Sequence, residues 1–256
     1  MRWSRMLLHA AIGAAILRLV FPRAGPGTRR RLVGWWSAKV LRIAGVALRV
    51  EGTPPAHGES GAMIAANHVS WLDIFALSGV RPTRFIAKSE IRDWPLAGWI
   101  AERGGTIFIR REKRGDTGRI SERVHQALEE GDCVGLFPEG ATTEGDEMLK
   151  FHSSLFEPAV ANAAHVHPCA IRYQRSDGTL CREMAYVGEL SFMQSFGLVL
   201  RQHGVMVTLS FAVPIETANR TRREVASLAE SQIASLLGLE KDRKPRTLAD
   251  LLAAPR

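Results

Sequence analysis

A histidine and an aspartate stand five residues apart in the string N-H-V-S-W-L-D, and both residue types suit acid–base chemistry. On a regular helix, five residues subtend about 500°, which would leave His68 and Asp73 about 140° apart and not on one face. The pair fits better if His68 precedes a helix, with Ser70 near the cap and Asp73 in the first turns. Asp73 would then accept the imidazole N–H, and His68 would act as a general base toward a hydroxyl.

The same pair has a plainer structural explanation. Asp73 would complement the positive end of a helix, and His68 would be a capping or buried histidine. The sequence contains no G-x-S-x-G string, no H-E-x-x-H string and no Cys/His ligand set. We therefore expect neither a protein nucleophile nor a metal ion. A base without either indicates that a substrate hydroxyl attacks an acceptor that is already activated. The cysteines lack C-x-x-C spacing and an even count, so we expect reduced thiols at Cys133, Cys169 and Cys181.

Short apolar runs alternate with helical patterns from residue 61 onward. This alternation predicts one α/β domain, residues 51–240, with a mostly parallel sheet flanked by helices. Residues 241–256 are predicted to be a charged tail. The predicted strands are Gly61–Ala66, Arg84–Lys88, Thr106–Ile109, Cys133–Phe137, Val166–Tyr173 and Val205–Val213. The predicted helices are Trp71–Leu77, Thr117–Glu130, Ser154–Ala163 and Glu216–Leu237.

Polar residues follow three of these strands, where ligands bind in open α/β sheets. Three strand ends that carry His, Arg or Glu therefore predict one shared site. The residues concerned are Asn67 and His68 after the first strand, Arg110 and Arg111 after the third, and Pro138, Glu139 and Gly140 after the fourth.

The net charge of +8 belongs to the N-terminus. Residues 1–50 contain ten Lys and Arg and no Asp or Glu, whereas the rest of the chain has 24 basic and 26 acidic side chains. This charge favours an anionic partner such as a nucleic acid, an acidic lipid surface or a phosphorylated substrate. No recognised nucleic-acid-binding module is present, so we expect no nucleic-acid partner.

Residues 1–50 are predicted to form two membrane-associating helices. Leu7–Val20 is apolar but shorter than the roughly 20 residues that span a bilayer, and Leu32–Val50 has helical apolar spacing. Such helices suit an interface with anionic lipid at the cytoplasmic face of the inner membrane, either monotopic or with one short anchor. A signal peptide and a hairpin packed on the domain's own core are the alternatives.

Four blocks of residues resemble the 1-acylglycerol-3-phosphate acyltransferase family of glycerolipid acyltransferases. Asn67-His68 through Asp73 is similar to the family's N-H-x-x-x-x-D motif. The other three blocks follow in the family's order. They are Lys88-Ser-Glu90 through Gly105-Thr-Ile-Phe-Ile-Arg-Arg111, then Phe137-Pro138-Glu139-Gly140, then Val166-His-Pro168-Cys-Ala-Ile171.

The resemblance implies transfer of a fatty acyl group from an acyl carrier protein or coenzyme A thioester to a lysophospholipid hydroxyl, without a further cofactor. It makes His68 the base and Asp73 its orienting partner. Lys88 and Arg111 would hold the acceptor phosphate, and Arg110 could assist. Glu139 and Gly140 would contribute to acceptor binding. Asn67, Phe137, Pro138, Pro168 and Ile171 would support the motifs, although both prolines could simply terminate strands.

One departure from the family pattern concerns the acceptor. The family's third block continues with Thr-Arg-Ser, whereas this chain has Ala141-Thr142-Thr143, so Thr142 stands where the family places an arginine. We expect 1-acyl-glycerol-3-phosphate as acceptor and phosphatidic acid as product, with another lyso-lipid such as lyso-ornithine lipid as the alternative. From other classes, a lipid hydrolase and a non-catalytic lipid-binding protein remain open.

Overall fold

The described residues of the computed structural model, 1–59, 61–93, 97–109 and 116–239, form an eight-stranded sheet. The strands are β1 (Val46–Glu51), β2 (Ala62–Ala66), β3 (Thr83–Lys88), β4 (Ile107–Ile109), β5 (Cys133–Leu136), β6 (His165–Arg175), β7 (Val205–Phe211) and β8 (Ile215–Glu216). Their order is β1-β7-β6-β2-β5-β3-β4, with β8 paired to β6. Strand β6 runs antiparallel to β7 and β8, and the other described pairings are parallel. The predicted α/β class with a mostly parallel sheet is confirmed.

Helices cover both faces of the sheet. They are α1 (Arg2–Ala15), α2 (Pro26–Ala44), α3 (Asp73–Val80), α4 (Ala97–Arg103), α5 (Asp116–Glu129), α6 (Glu157–Ala161), α7 (Phe192–Arg201) and α8 (Arg222–Leu236). Because strand side chains alternate, Ile64 of β2 joins the core beneath α2, α3 and α7, while Met63 and Ala65 join the core beneath α5, α6 and α8. Burial on both faces explains why β2 is an uninterrupted apolar run.

The first helix is longer than the apolar run that predicted it. A π-helical segment, Ile16–Val20, and a 3₁₀ turn, Phe21–Arg23, continue α1 without a break. The resulting 22-residue helix, Arg2–Arg23, meets the length and hydropathy that a membrane crossing requires, and only 22% of its most apolar window is buried. It packs closely on α2, because a Cβ on Gly13 would lie 2.6 Å from Nε1 of Trp36.

The second predicted helix differs at both ends. Helix α2 begins at Pro26, which suits the first helical position, and ends at Ala44 before Gly45 in the left-handed conformation. The segment Val46–Glu51 is not helical, since it pairs in parallel with β7 at the edge of the sheet. The sheet therefore begins before residue 51, where we placed the domain boundary. The predicted tail, 241–256, lies outside the described residues.

Two helices in the C-terminal half of the chain also depart from the prediction. Helix α8 begins at Arg222 instead of Glu216, because Thr221 and Glu224 form a capping box and Glu216 belongs to β8. Helix α7 was not predicted, although Ser191 and Gln194 form the same kind of cap. The remaining predicted strands and helices appear within a few residues of their expected ends.

The three cysteines are buried thiols. Cys133 lies in β5, Cys169 in β6 and Cys181 in the loop that follows β6, and none forms a disulfide. Burial raises the pKa of all three, that of Cys133 to about 12. The expectation of reduced thiols agrees with this arrangement.

Candidate active site

The candidate site lies at the carboxyl ends of β2 and β5, which are parallel neighbours in the sheet. Asn67 and His68 directly follow β2, and the turn Phe137–Gly140 directly follows β5. Lys88 ends β3 on the other side of β5 and is exposed. Arg110 and Arg111, predicted to hold the acceptor phosphate, lie outside the described residues.

His68 and Asp73 are joined by a hydrogen bond. Nδ1 of the imidazole lies 2.8 Å from Oδ2 of Asp73. His68 precedes α3, as the sequence predicted, and Asp73, expected in the first turns, is its first residue. The histidine side chain is 22% exposed, whereas the aspartate side chain is fully buried. The contact therefore joins an accessible imidazole to a carboxylate that water does not reach.

Local backbone geometry explains why Asp73 holds this position. Its Oδ2 also accepts hydrogen bonds from the backbone N–H groups of Val69 and Ser70, at 2.8 and 2.9 Å. These groups precede the helix, and the positive end of the helix dipole favours an anion here. The carboxylate thus closes the loop that carries His68, in addition to contacting its ring. Asp73 therefore does both things that the sequence suggested: it complements the start of the helix, and it orients the ring of His68.

The contact also fixes where the imidazole can accept a proton. A carboxylate oxygen only accepts hydrogen bonds, so Nδ1 carries the hydrogen that lies between the two atoms. In the neutral ring, Nε2 then holds the lone pair. The arrangement is the one required of a general base whose partner stabilises the imidazolium that forms.

An aromatic stack holds the imidazole plane. The rings of His68 and Phe137 are stacked, with centroids 3.9 Å apart and planes inclined by 12°. Phe85 of β3 also stacks on Phe137, with centroids 5.5 Å apart. Phe137, expected only to support its motif, is therefore in direct contact with the histidine.

Glu139 is buried beneath the same histidine. Its Oε1 accepts the backbone N–H of His68 at 2.8 Å, and its Oε2 accepts that of Leu149 at 2.6 Å. The backbone N–H of Thr143 in turn donates to the carbonyl of His68 at 2.9 Å. Burial raises the pKa of Glu139 to about 8, although the two N–H donors oppose this shift. In this structure Glu139 fixes the loop around His68, and both its oxygens face backbone groups.

The neighbouring positions of the same turn have distinct roles. Gly140 has a positive φ of 74° and donates its N–H to the carbonyl of Phe137 at 3.2 Å, which closes the turn. The hydroxyl of Thr142, where the family places an arginine, donates to the carbonyl of Tyr186.

Pro138 follows β5, consistent with strand termination. For Pro168 that explanation is wrong, because this proline lies within β6 and pairs with Ala65.

Asn67 and Ile171 are bonded to each other. Nδ2 of Asn67 donates to the carbonyl of Ile171 at 3.0 Å, and the N–H of Ile171 donates to Oδ1 of Asn67 at 2.7 Å. The end of β2 is thereby fastened to the middle of β6.

Sequence reasoning missed one residue of the site. Tyr173 of β6 donates its hydroxyl hydrogen to Oδ1 of Asp73 at 2.7 Å. The two residues are 100 positions apart, so no local motif joins them. The available signal was strand periodicity, since Cys169, Ile171 and Tyr173 share one face of β6. Within the described ranges, no group of three side chains suited to holding a metal ion is found.

The chain is similar to known acyltransferases along most of its length. Residues 47–172 match the protein-family model described as Acyltransferase. The chain is 35% identical over 239 residues to the lyso-ornithine lipid O-acyltransferase of Pseudomonas aeruginosa, with 91% of each chain covered. It is 40% identical over 161 residues to the 1-acyl-sn-glycerol-3-phosphate acyltransferase of Neisseria meningitidis serogroup B, with 63% of each covered.

A solved structure shares the architecture. The 1-acyl-sn-glycerophosphate (LPA) acyltransferase, PlsC, from Thermotoga maritima is similar with a TM-score of 0.62 and 19% identity, over 96% of this chain and 100% of that one. The fold and the sequence similarity together define an acyltransferase of the α/β class. The chain belongs to the 1-acylglycerol-3-phosphate acyltransferase family of glycerolipid acyltransferases.

Proposed function

We propose that this enzyme transfers a fatty acyl group from a thioester to the free hydroxyl of a lyso-lipid, with His68 as the general base. The observation that carries the proposal is the 2.8 Å contact between Nδ1 of His68 and Oδ2 of Asp73 at the carboxyl end of β2. It leaves Nε2 of an accessible, ring-stacked imidazole to receive a proton.

The proposed reaction proceeds without a covalent enzyme intermediate. Nε2 of His68 takes the proton of the acceptor hydroxyl as its oxygen attacks the thioester carbonyl carbon. The carbon–sulfur bond then breaks, and the leaving thiolate takes the proton back from the imidazolium. Asp73 stabilises the imidazolium between these steps. Buried Cys133, Cys169 and Cys181 cannot serve as the nucleophile, because burial keeps them as thiols.

We place lyso-ornithine lipid first among acceptors and 1-acyl-glycerol-3-phosphate second. The relatives from P. aeruginosa and Brucella abortus that bear the first name each match over about nine-tenths of this chain. Thr142 supplies no cation where the family has one, and its hydroxyl is engaged by Tyr186. Farther along the same loop, Glu144 and Asp146 both pair with Arg182 of the turn that follows β6, so these three side chains carry a net negative charge. Such a loop suits the ammonium of an ornithine headgroup better than a phosphate dianion.

The second acceptor has a specific observation in its favour. The sequence brings Arg110 and Arg111 directly after the strand that forms β4, and arginine is well suited to binding phosphate. The donor thioester is carried by acyl carrier protein or coenzyme A.

We further propose that the enzyme binds the anionic cytoplasmic face of the inner membrane as a monotopic protein. The continuous helix Arg2–Arg23 is held at its start by Arg2, which donates to the carbonyl of Leu200 at 3.2 Å. At its other end, the carbonyl of Phe21 accepts a hydrogen bond from Arg29 of α2 at 3.0 Å. Helix α2 is in turn held to the body where Arg30 pairs with Asp132 at 3.0 Å. A helix held by these contacts lies along the surface of the α/β domain. Its outer face carries exposed Leu7, Leu8, Ile12, Leu19 and Val20.

The apolar face continues onto α7. Trp3 contacts Phe196 with ring centroids 4.8 Å apart, and Phe196 lies 5.8 Å from Phe192. Phe192 and Met193 are exposed at the start of α7. Trp71, three residues beyond His68, stacks on Phe196. The proposed membrane surface therefore reaches the vicinity of the candidate base.

The decisive experiment replaces the base. His68→Ala is expected to lower the turnover of acyl thioester and lyso-lipid by at least about a thousandfold. His125→Ala, at a half-exposed position on α5, is the matched control and should keep wild-type turnover. Substantial transfer by His68→Ala would contradict the mechanism. Products analysed by mass spectrometry with and without lyso-lipid separate transfer from hydrolysis, because a hydrolase releases fatty acid in both cases. No turnover by the wild type with any thioester would favour a non-catalytic lipid-binding protein.

A further inference from the structure

The carboxylate of Asp73 has a second fixed contact besides the one to His68. Its Oδ2 accepts hydrogen bonds from Nδ1 of His68 and from two backbone N–H groups. Its Oδ1 accepts a hydrogen bond from the hydroxyl of Tyr173 at 2.7 Å. Tyr173 is 1% exposed and lies on β6, across the core from α3. Both oxygens of a fully buried anion are thus engaged, one by the loop that bears the histidine and one by the sheet.

We infer that Tyr173 is a positioning residue for acyl transfer, whose hydroxyl holds the Asp73 carboxylate in the orientation that directs Oδ2 at His68. The inference rests on the role proposed for His68. Without the hydroxyl, Oδ1 would be a buried charged oxygen without this donor, and the carboxyl group would lose its anchor to the sheet. Rotation of the carboxyl group about its Cβ–Cγ bond would then displace Oδ2 from the imidazole.

Tyr173 acts by donating, not by transferring a proton. Burial and the neighbouring Asp73 charge raise the pKa of its phenol well above the ordinary value, so the hydroxyl stays protonated. The phenol has no role in the proton transfer itself, which the imidazole Nε2 performs. Its effect on catalysis passes through Asp73 and then His68.

The other titratable groups around the pair are placed differently. Glu139, in the turn that follows β5, accepts a hydrogen bond from the backbone N–H of His68 and not from its imidazole ring. Cys169 lies on β6 on the same face as Tyr173, and burial together with the Asp73 charge raises its pKa well above the ordinary value. Among the described residues, the side chain that donates a hydrogen bond to Oδ1 of Asp73 is Tyr173.

The test is Tyr173→Phe in the full-length protein, which removes one hydroxyl and keeps the ring. We expect kcat to fall at least about tenfold while KM for the lyso-lipid stays within about twofold, because the hydroxyl acts on the base and not on substrate binding. The acidic limb of the pH profile of kcat/KM should also move to lower pH. An Oδ2 displaced from the ring stabilises the imidazolium less, so the imidazole releases its proton more readily.

Thr217→Val is the matched control for the loss of a buried hydroxyl. The Thr217 hydroxyl is also fully buried and donates to the carbonyls of Ala159 and Ala164, at the far end of the sheet. Both variants should lose some stability to urea, but Thr217→Val should keep the wild-type kcat per folded molecule and the wild-type pH profile.

The outcomes are distinct. A Tyr173→Phe variant with wild-type kcat per folded molecule and an unmoved pH profile would overturn the inference and leave the proposed base intact. Full activity of His68→Ala would remove the basis of both. Loss of activity in His68→Ala together with the kcat loss and pH shift in Tyr173→Phe would support both.

Discussion

Asn67 is bonded through both ends of its amide to the backbone of Ile171, 104 residues farther along the chain. The amide occupies the place of a neighbouring peptide group, accepting one backbone hydrogen bond and donating another. It does so at the point where β2 ends and the loop to His68 begins. The residue that precedes the candidate base therefore fixes the origin of that loop relative to β6.

Asn67→Ala is expected to destabilise the fold by about 2–4 kcal/mol. The variant loses two hydrogen bonds and leaves buried backbone groups of Ile171 without these partners. Urea unfolding measures the effect. Asn162→Ala is the control, because its half-buried amide donates to the carbonyl of Pro158 at the surface end of α6 and should cost less than about 1 kcal/mol. Equal losses in the two variants would contradict this account.

Glu139→Gln is expected to lower stability in a pH-dependent way. Burial raises the pKa of Glu139 to about 8, above its unfolded value near 4.5, so its contribution to stability is fully present below pH 4.5 and is lost as the pH rises to 8. Glutamine does not titrate. The difference in unfolding free energy between wild type and variant should therefore narrow from pH 5 to pH 8 in urea titrations. A difference that widens with pH would show that the folded protein favours the charged form of Glu139.

Thr142→Arg is expected to change the choice of acceptor. The substitution restores the arginine of the family pattern and adds a cation near the loop that follows β5. A charge-assisted contact is worth about 1.5–3 kcal/mol, so kcat/KM for 1-acyl-glycerol-3-phosphate should rise at least about tenfold relative to that for lyso-ornithine lipid. Parallel assays with the two acceptors and one thioester measure the ratio. Thr142→Val, which removes the hydroxyl without adding charge, should not favour the phosphate acceptor. An unchanged ratio in Thr142→Arg would exclude this position from acceptor selection.

Leu7→Ser with Leu8→Ser is expected to weaken binding to vesicles of anionic phospholipid. The two side chains are 64% and 63% exposed on α1, and the loss of two leucines from an interface should lower the partition coefficient at least about tenfold. Sedimentation with vesicles measures it. Leu228→Ser with Leu236→Ser is the matched control, since these leucines are 37% and 40% exposed on α8. Comparable losses in both pairs would argue against α1 as the contact surface.

The pattern of apolar residues in the sequence was sufficient to predict most strands of the sheet. The run Ala62–Ala66 is apolar throughout because both of its faces are covered, and helix α5 shows its buried stripe at Val124 and Leu128. The predicted second helix extends to Val50 because Ala47 continues the apolar spacing of α2, whereas residues 46–51 form a strand. This strand depends on pairing with β7, about 160 residues away, which local spacing does not record.

The candidate site was predictable where side chains of known chemistry meet each other. The His68–Asp73 contact follows from residue type and spacing. The contacts of Glu139 do not, because its partners are backbone N–H groups that every residue except proline provides. Tyr173 was missed for another reason, since only the antiparallel and parallel pairings around β6 bring it to Asp73.

The buried thiols make the molecule convenient for spectroscopy. Since Cys133, Cys169 and Cys181 are at most 1% exposed and their pKa values are raised, maleimide and nitroxide reagents should leave the native chain unlabelled. A cysteine introduced at an exposed position of α1 or α7 would then carry the sole probe without prior removal of the native thiols. Depth measurements with such probes in bilayers would test the proposed membrane surface residue by residue.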